Sequence, residues 1–457
     1  MPNSLALISL YVLELCGLIT AMAIYKKSDR PLLDFLASQA GVVCVFAVLG
    51  LVTSALGIVY ILRKTARPKI KQLYATFVLN LLSVIIVLAT AEIFIRAWAV
   101  STPAGPLFAN TVLLPRSWER FAAHQRAILA KASTWGSYFV YDSFLGWTVG
   151  RSRSSSDGLY FSSVEGIRSS RAGISFAGPP ARHRVAIVGD SFTFGLEVRY
   201  EETWGRQLEL MLSPEYQVLN FGVDGYGVDQ AYLRYQRDVR SWRPDIVILG
   251  IINDDLSRTM GVYAFLKFLE WEMPFPKPRF VVRDKALIPL NLPLPTPESI
   301  FTKKTITELP FIEYDQSFQR AEWEWNFYHY AYSIRFLVSR FPRWPVAGPP
   351  VSDEVMKSIN GELFRSFMGL ARKEGSTPIV VYFPSKSDFA AVSTPGVGLT
   401  RVAKEVLQAS GIPYLDMTGC VSRVDPSKRF VVRHYSQATN AAIAECLRDS
   451  IRELSPG

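Results

Sequence analysis

Cysteine and histidine are both scarce, four of each in 457 residues. No CxxC pair occurs, which argues against a structural zinc site, and four cysteines in a chain this long make no disulfide framework. Cys16 and Cys44 lie inside apolar stretches and read as packing residues. Cys420 and Cys446 would form one disulfide if their domain faces an oxidising compartment. Neither a GxGxxG fingerprint nor a Walker pattern is present, so nothing indicates a nucleotide. The net charge is +10, yet no Lys/Arg-rich run with stacking aromatics stands in the second part of the chain. Nucleic-acid binding is therefore not expected. Nothing calls for a cofactor or a metal.

What is abundant is apolar sequence at the start. Mean hydropathy is +0.15, and the excess sits in the first hundred residues. The stretches Ser4–Tyr25, Phe35–Leu62 and Leu73–Ile95 are each long enough to cross ~30 Å of hydrocarbon as a helix rising ~1.5 Å per residue. The first has no basic leader and no small-residue cleavage site, so it is not read as a removed signal. Arg63, Lys64, Arg67, Lys69 and Lys71 fill the loop before the third stretch. Lys26, Lys27 and Arg30, beside Asp29 and Asp34, fill the loop before the second. The more basic loop is expected in the cytoplasm, which places everything after Val100 outside. Glu14 and Glu92 fall within the first and third stretches, and a carboxylate at that depth is a functional candidate by default. For Glu14, protonation or pairing inside a small bundle is the plainer reading. Arg96 reads as an interfacial anchor.

Beyond residue 100 the expected organisation is a connector and small strand-poor cap over 101–183, then one domain over 184–457. In that domain, apolar runs of strand length (Val185–Val188, Gln217–Phe221, Ile246–Ile252, Pro378–Phe383, Pro413–Leu415) alternate with amphipathic helical patterns (Thr203–Leu212, Val228–Trp242, Ser352–Glu374, Val397–Ser410, Ser436–Leu454). Such alternation predicts an α/β fold, three layers around a parallel five-stranded sheet. An aromatic- and proline-rich insertion, 256–350, interrupts it. The insertion is expected to hold a hairpin (Arg279–Leu294) and a helix (Gln316–Phe341), and to serve as a lid or packing surface.

Four blocks carry the chemistry. Gly189-Asp190-Ser191-Phe192-Thr193-Phe194-Gly195 follows the first strand directly, presenting a hydroxyl at a strand-to-helix turn. Asn220-Phe221-Gly222-Val223-Asp224-Gly225-Tyr226-Gly227 follows the second strand, Gly250-Ile251-Ile252-Asn253-Asp254 the third, and His434 precedes the last helix. All four fall at the carboxyl rim of the expected sheet, where open α/β folds bind ligands. Acyl transfer needs a nucleophile, a base within reach and donors aimed at an oxyanion. Asp190 reads as fixing the turn, Asp254 and Asp255 as helix caps. His124, His183 and His329 lie elsewhere.

These blocks, in this order, resemble the SGNH/GDSL hydrolase family over about residues 184–454, and segment 138–171 resembles the lead-in of its membrane-anchored bacterial members. The resemblance implies Ser191 as nucleophile and His434 as general base. It implies an oxyanion hole from the Ser191 and Gly225 N–H groups and the Asn253 amide. One position departs from the pattern: the family carries an acid three residues before the histidine, and this chain has Val431. The Val431 main-chain carbonyl is the first candidate for a third member, Asp425 the second. The expected activity is hydrolysis or transfer of a small acyl ester, O-acetyl above all, on an extracytoplasmic glycan. The alternatives are a lipid acyl hydrolase and a catalytically silent glycan-binding or scaffold protein.

Overall fold

A computed structural model describes residues 80, 87, 89–135, 138–178, 182–267, 273–284, 286–340, 353–392 and 402–454. The three apolar stretches lie outside these residues, save the end of the third. Among the described residues no helix is long and apolar enough to cross a membrane. The chain divides into two units, Ala122–Gln319 with Gly348–Gly457, and Met1–Phe121 with Arg320–Ala347. This division cuts across both the 101–183 segment and the 256–350 insertion.

The larger unit is built on five parallel strands. They are β1 (His183–Gly189), β2 (Tyr216–Asn220), β3 (Ile246–Ile251), β4 (Thr377–Tyr382) and β5 (Tyr414–Asp416), in the order β5-β4-β3-β1-β2. Side chains alternate between faces along each strand. Ala186, Val188, Val247, Leu249 and Val380 pack on one side with α3 (Val228–Arg234), α5 (Asp353–Lys373) and α7 (Val402–Ala409). Val185, Ile187, Ile248, Ile379 and Val381 pack on the other with α2 (Trp204–Leu212) and α8 (Gln437–Leu454). The result is three layers, α/β/α. Central β3 is buried at all six positions, and each such Ile or Leu contributes about 1.5–3 kcal/mol by leaving water. Cys420 and Cys446 are joined by a disulfide.

The strand order reverses between β1 and β3, and the carboxyl ends of strands at such a switch point are the usual ligand position in open α/β sheets. Short hairpins ahead of β1 fill its flank: Phe139–Asp142 with Gly146–Val149, and Phe161–Ser162 with Arg168–Ser169. The segment is therefore not strand-poor, because its glycines close tight turns that the apolar pattern does not reveal.

The smaller unit gathers helical residues 89–98, the three-stranded meander Val100–Val112 and the helix Tyr332–Arg340 around Ile95, Phe108, Leu113 and Phe336. The single helix expected over Gln316–Phe341 is not formed. Arg320–Glu322 and Phe327–Tyr330 are separate 3-10 turns. The helix begins only at Tyr332, because the Glu92 carboxylate takes the N–H groups of Tyr332 and Ser333, each at 2.8 Å. Glu92 thus caps a helix and pairs with Arg96 at 2.6 Å. Buried Arg335 donates to the carbonyls of Leu113, Leu114 and Pro115.

Candidate active site

Ser191 opens α1 (Ser191–Phe194), a single turn that follows β1 without a linker. Asp190 caps it, accepting from the Phe192 N–H at 2.9 Å, and Gly195 ends it in the left-handed conformation. Asp190 is buried, and burial pushes its carboxyl up, opposed by the nearby Arg258 guanidinium.

His434 lies opposite, with Nε2 2.9 Å from Ser191 Oγ. The imidazole packs on the Phe192 ring, centroids 4.9 Å apart. Its other nitrogen, Nδ1, lies 2.9 Å from a carboxylate oxygen of Glu197. A serine, an imidazole and a carboxylate thus stand in line, each within hydrogen-bond reach of the next.

The partner of the His434 ring at Nδ1 is Glu197, not the Val431 carbonyl or Asp425 at which a third member was expected. The Val431 N–H donates to the His434 carbonyl at 2.9 Å, which closes a tight turn. That turn aims the successive N–H groups of Val432, Arg433 and His434 at the Glu197 carboxylate, at 2.8, 3.0 and 3.2 Å. Consecutive N–H groups in such a turn form an anion-binding nest. Asp425 is fully exposed and caps a short 3-10 turn through Ser427. Partial burial works to raise the Glu197 carboxyl, but the hydrogen bonds from His434 and the nest outweigh it and hold it below the usual carboxylate value.

Glu197 has a left-handed backbone, φ 71, uncommon for a residue with a side chain. Its loop is pinned on both sides. Tyr160 Oη accepts from the Glu197 N–H at 2.9 Å, and buried Arg168 donates to the Val198 carbonyl at 3.1 Å. Both partners come from the 158–168 segment. The sequence signal for Glu197 was slight, an acid two residues past the glycine that ends α1.

The loop Gly222–Gly227 forms the next wall. A Cβ on Gly222 would collide with the Phe194 backbone, so only glycine lets the loop approach α1. Gly225 has φ 77. The Tyr141–Trp147 hairpin braces this loop: Trp147 Nε1 donates to the Asp224 carbonyl at 2.9 Å, and Tyr226 Oη to the Trp147 carbonyl at 2.6 Å. Arg258, from α4 (Asn253–Arg258), donates to the Tyr226 carbonyl at 2.9 Å and to Asp255 at 2.6 Å. Among the described residues, neither the Ser191 N–H nor the Gly225 N–H has an acceptor.

Asn253 is placed differently from expectation. Both hydrogens of its amide are taken, by Tyr382 Oη at 2.9 Å and by Asp388 of α6 (Lys386–Val392) at 2.8 Å, and its oxygen accepts from the Ala403 N–H at 3.1 Å. The side chain ties α4 to β4 and α7; it is not turned to Ser191. A cavity of about 290 Å³ beside it is lined by Tyr382, Asp388, Lys404 and Arg429, among others, and does not include Ser191. Among the described residues no group of His, Cys, Asp or Glu side chains could hold a metal ion.

Solved structures similar to this chain are GDSL-type lipolytic proteins and acetyl esterases. A lipolytic protein of the G-D-S-L family from Desulfitobacterium hafniense is 14% identical over 58% of this chain and 98% of its own, at a TM-score of 0.30. An acetyl xylan esterase from Geobacillus stearothermophilus is 14% identical over 60% and 95%, at 0.30. A lipase/acylhydrolase from Enterococcus faecalis is 12% identical over 60% and 98%, at 0.31. No family model and no curated protein matches the sequence. At these TM-scores the likenesses bear no weight, and the functional reading rests on the residues themselves.

Proposed function

We propose that the larger unit is a serine ester hydrolase of the SGNH/GDSL kind. The observation that carries this is the unbroken line from Ser191 Oγ through the His434 ring to the Glu197 carboxylate, 2.9 Å at each step. In this reading His434 Nε2 takes the Ser191 proton as Oγ attacks the acyl carbon. The N–H groups of Ser191 and Gly225 receive the oxyanion. His434 then passes the proton to the departing alcohol, leaving an acyl-enzyme, and water reverses the sequence. Glu197 holds Nδ1 as a donor, so that the lone pair of Nε2 faces the serine, and its charge stabilises the imidazolium.

Ser191 is only 2% exposed, which favours a small acyl group reaching it while the acceptor stays at the surface. The substrate proposed is an O-acetyl ester on a glycan outside the cytoplasm. The basic Arg63–Lys71 loop and the Cys420–Cys446 disulfide support that location. A missing acid at Val431 would favour a silent scaffold; the Glu197 carboxylate beside His434 supports catalysis instead.

Labelling by a serine-reactive phosphonate, in the native chain and in Ser191→Ala, tests the reading. The native chain should be labelled and should cleave acetyl esters faster than long-chain esters, and the variant should do neither. Full turnover by Ser191→Ala would refute the site. A reporter fused after Gly457 that works only in the cytoplasm would remove the extracytoplasmic substrate.

A further inference from the structure

Six of the eight strongly exposed aromatic side chains among the described residues belong to the smaller unit, although it holds far fewer of those residues. Trp98, Trp325, Phe327 and Tyr330 are 64, 53, 84 and 71% exposed. A group of large apolar side chains exposed together in this way marks a surface that something else covers. They are not loosely held. Phe94 stacks on Trp98 at 4.4 Å, and Trp325 meets Tyr330 edge-on at 5.6 Å. Arg96 binds the Tyr330 carbonyl and lies 4.6 Å from the Tyr332 ring, while Glu92 caps the helix that follows. The aromatic segment is thus fastened to residues 92–98 at one level.

That level identifies what covers it. Helical residues 89–98 continue the apolar stretch Leu73–Ile95, and Trp98 stands roughly 5 Å beyond Ile95 at ~1.5 Å per residue. Exposed Trp and Tyr with a basic residue just past the end of such a stretch suit the boundary between hydrocarbon and water, where a ring sits in apolar surroundings and its polar edge stays wet. The second piece, Trp325–Tyr330, arrives from more than two hundred residues later in the sequence.

We propose that Trp98 and the segment Trp325–Tyr330 form one membrane-interface anchor, lying in the headgroup layer of the bilayer that the 73–95 stretch crosses. The proposal rests on the reading of that stretch as membrane-spanning. On this account the part of the insertion from Trp325 to Tyr330 meets the bilayer. It holds the smaller unit against the bilayer.

The test uses the full chain in vesicles of phosphatidylcholine and phosphatidylglycerol, spin-labelled at one thiol and probed with oxygen and a nickel chelate. One sample carries the label at Val84→Cys, midway along the 73–95 stretch, in a Cys16→Ser, Cys44→Ser background. The other carries Phe327→Cys in the same background, with Tyr330→Cys in its place if that chain does not fold. The oxygen-to-nickel accessibility ratio at 327 should lie several-fold above the aqueous value and below that at 84. A hydrocarbon value at 84 with an aqueous value at 327 overturns the anchor alone. A label at 327 shielded from both probes means a protein partner and also overturns it. An aqueous value at 84 overturns the membrane reading of that stretch and the anchor with it.

Discussion

Glu197 and His434 meet at 2.9 Å through a carboxylate that the backbone turn Val432–His434 also binds. The acid comes from the loop just behind the nucleophile helix and not from the position three residues before the histidine. Glu197→Gln presents an amide to a set of donors that all require acceptors, so either the ring or the nest loses its partner. The expected kcat on a short-chain ester falls by about 10²–10⁴, the upper end being the cost of a wrong tautomer. Glu197→Gly should relieve the left-handed backbone and leave thermal stability close to native, with a similar loss of kcat. Asp425→Asn should change neither. Loss of activity in Asp425→Asn with Glu197→Gln fully active would reverse the assignment.

Asn253 tests the oxyanion hole. Its amide spans Tyr382, Asp388 and the Ala403 N–H, so Asn253→Ala should mainly loosen the junction of α4, β4 and α7. A stability loss of about 1–3 kcal/mol is expected from the three hydrogen bonds, with kcat falling less than about tenfold. A fall of about 10²–10³ in kcat at unchanged melting temperature is the signature of a lost oxyanion donor. It would show that the amide swings to Ser191 during turnover.

The disulfide closes a loop with a sequence separation of 26. By the chain-entropy argument, removing it costs about 3.5 kcal/mol. Cys420→Ala with Cys446→Ala should therefore lower the melting temperature, while phosphonate labelling below the transition stays native. A melt that does not change on reduction of the native chain would show that the bond contributes nothing.

Much of this architecture was legible because it follows from periodicity. The run Ile246–Ile252 is apolar at every position, and only a central parallel strand covered on both faces calls for that. The fold brings Ser191 and His434 within 2.9 Å of each other. Their placement was legible, as polar residues directly after a strand and before the last helix. Glu197 was not, because its role depends on a left-handed φ and on three N–H groups brought from over two hundred residues away. Asn253 misled for a related reason: its position at the rim is as expected, but the partners that orient it, Tyr382 and Asp388, lie far along the chain. The part Glu92 plays in starting the Tyr332 helix was not legible, because the N–H groups it accepts from lie 240 residues further along the chain. The three apolar stretches lie outside the described residues, save residues 80, 87 and 89–95 of the third.

Asp224 offers a pH test that leaves Ser191, His434 and Glu197 in place. Its side chain is buried beside Gly225, and Oδ1 has no hydrogen-bond partner among the described residues. Burial pushes its carboxyl up to about 6, against the opposing pull of Arg258 and His434, from an ordinary value of 3.8. A carboxyl held above its unfolded value keeps its proton longer in the folded state. Between pH ~4 and ~6 the folded chain therefore binds more protons than the unfolded one, and stability falls as pH rises through that window. At 1.36 kcal/mol per pH unit the full effect is at most about 3 kcal/mol, reached above pH ~6. Asp224→Asn cannot ionise, so it should melt close to the native chain at pH 4 and above it at pH 8. Asp190, Asp255 and Asp315 are also pushed up by burial and remain in both chains, so the difference between the two melting curves isolates Asp224. Equal melting temperatures at pH 8, or a gap that is already full at pH 4, would mean that Asp224 is solvated and ionised like an ordinary carboxylate.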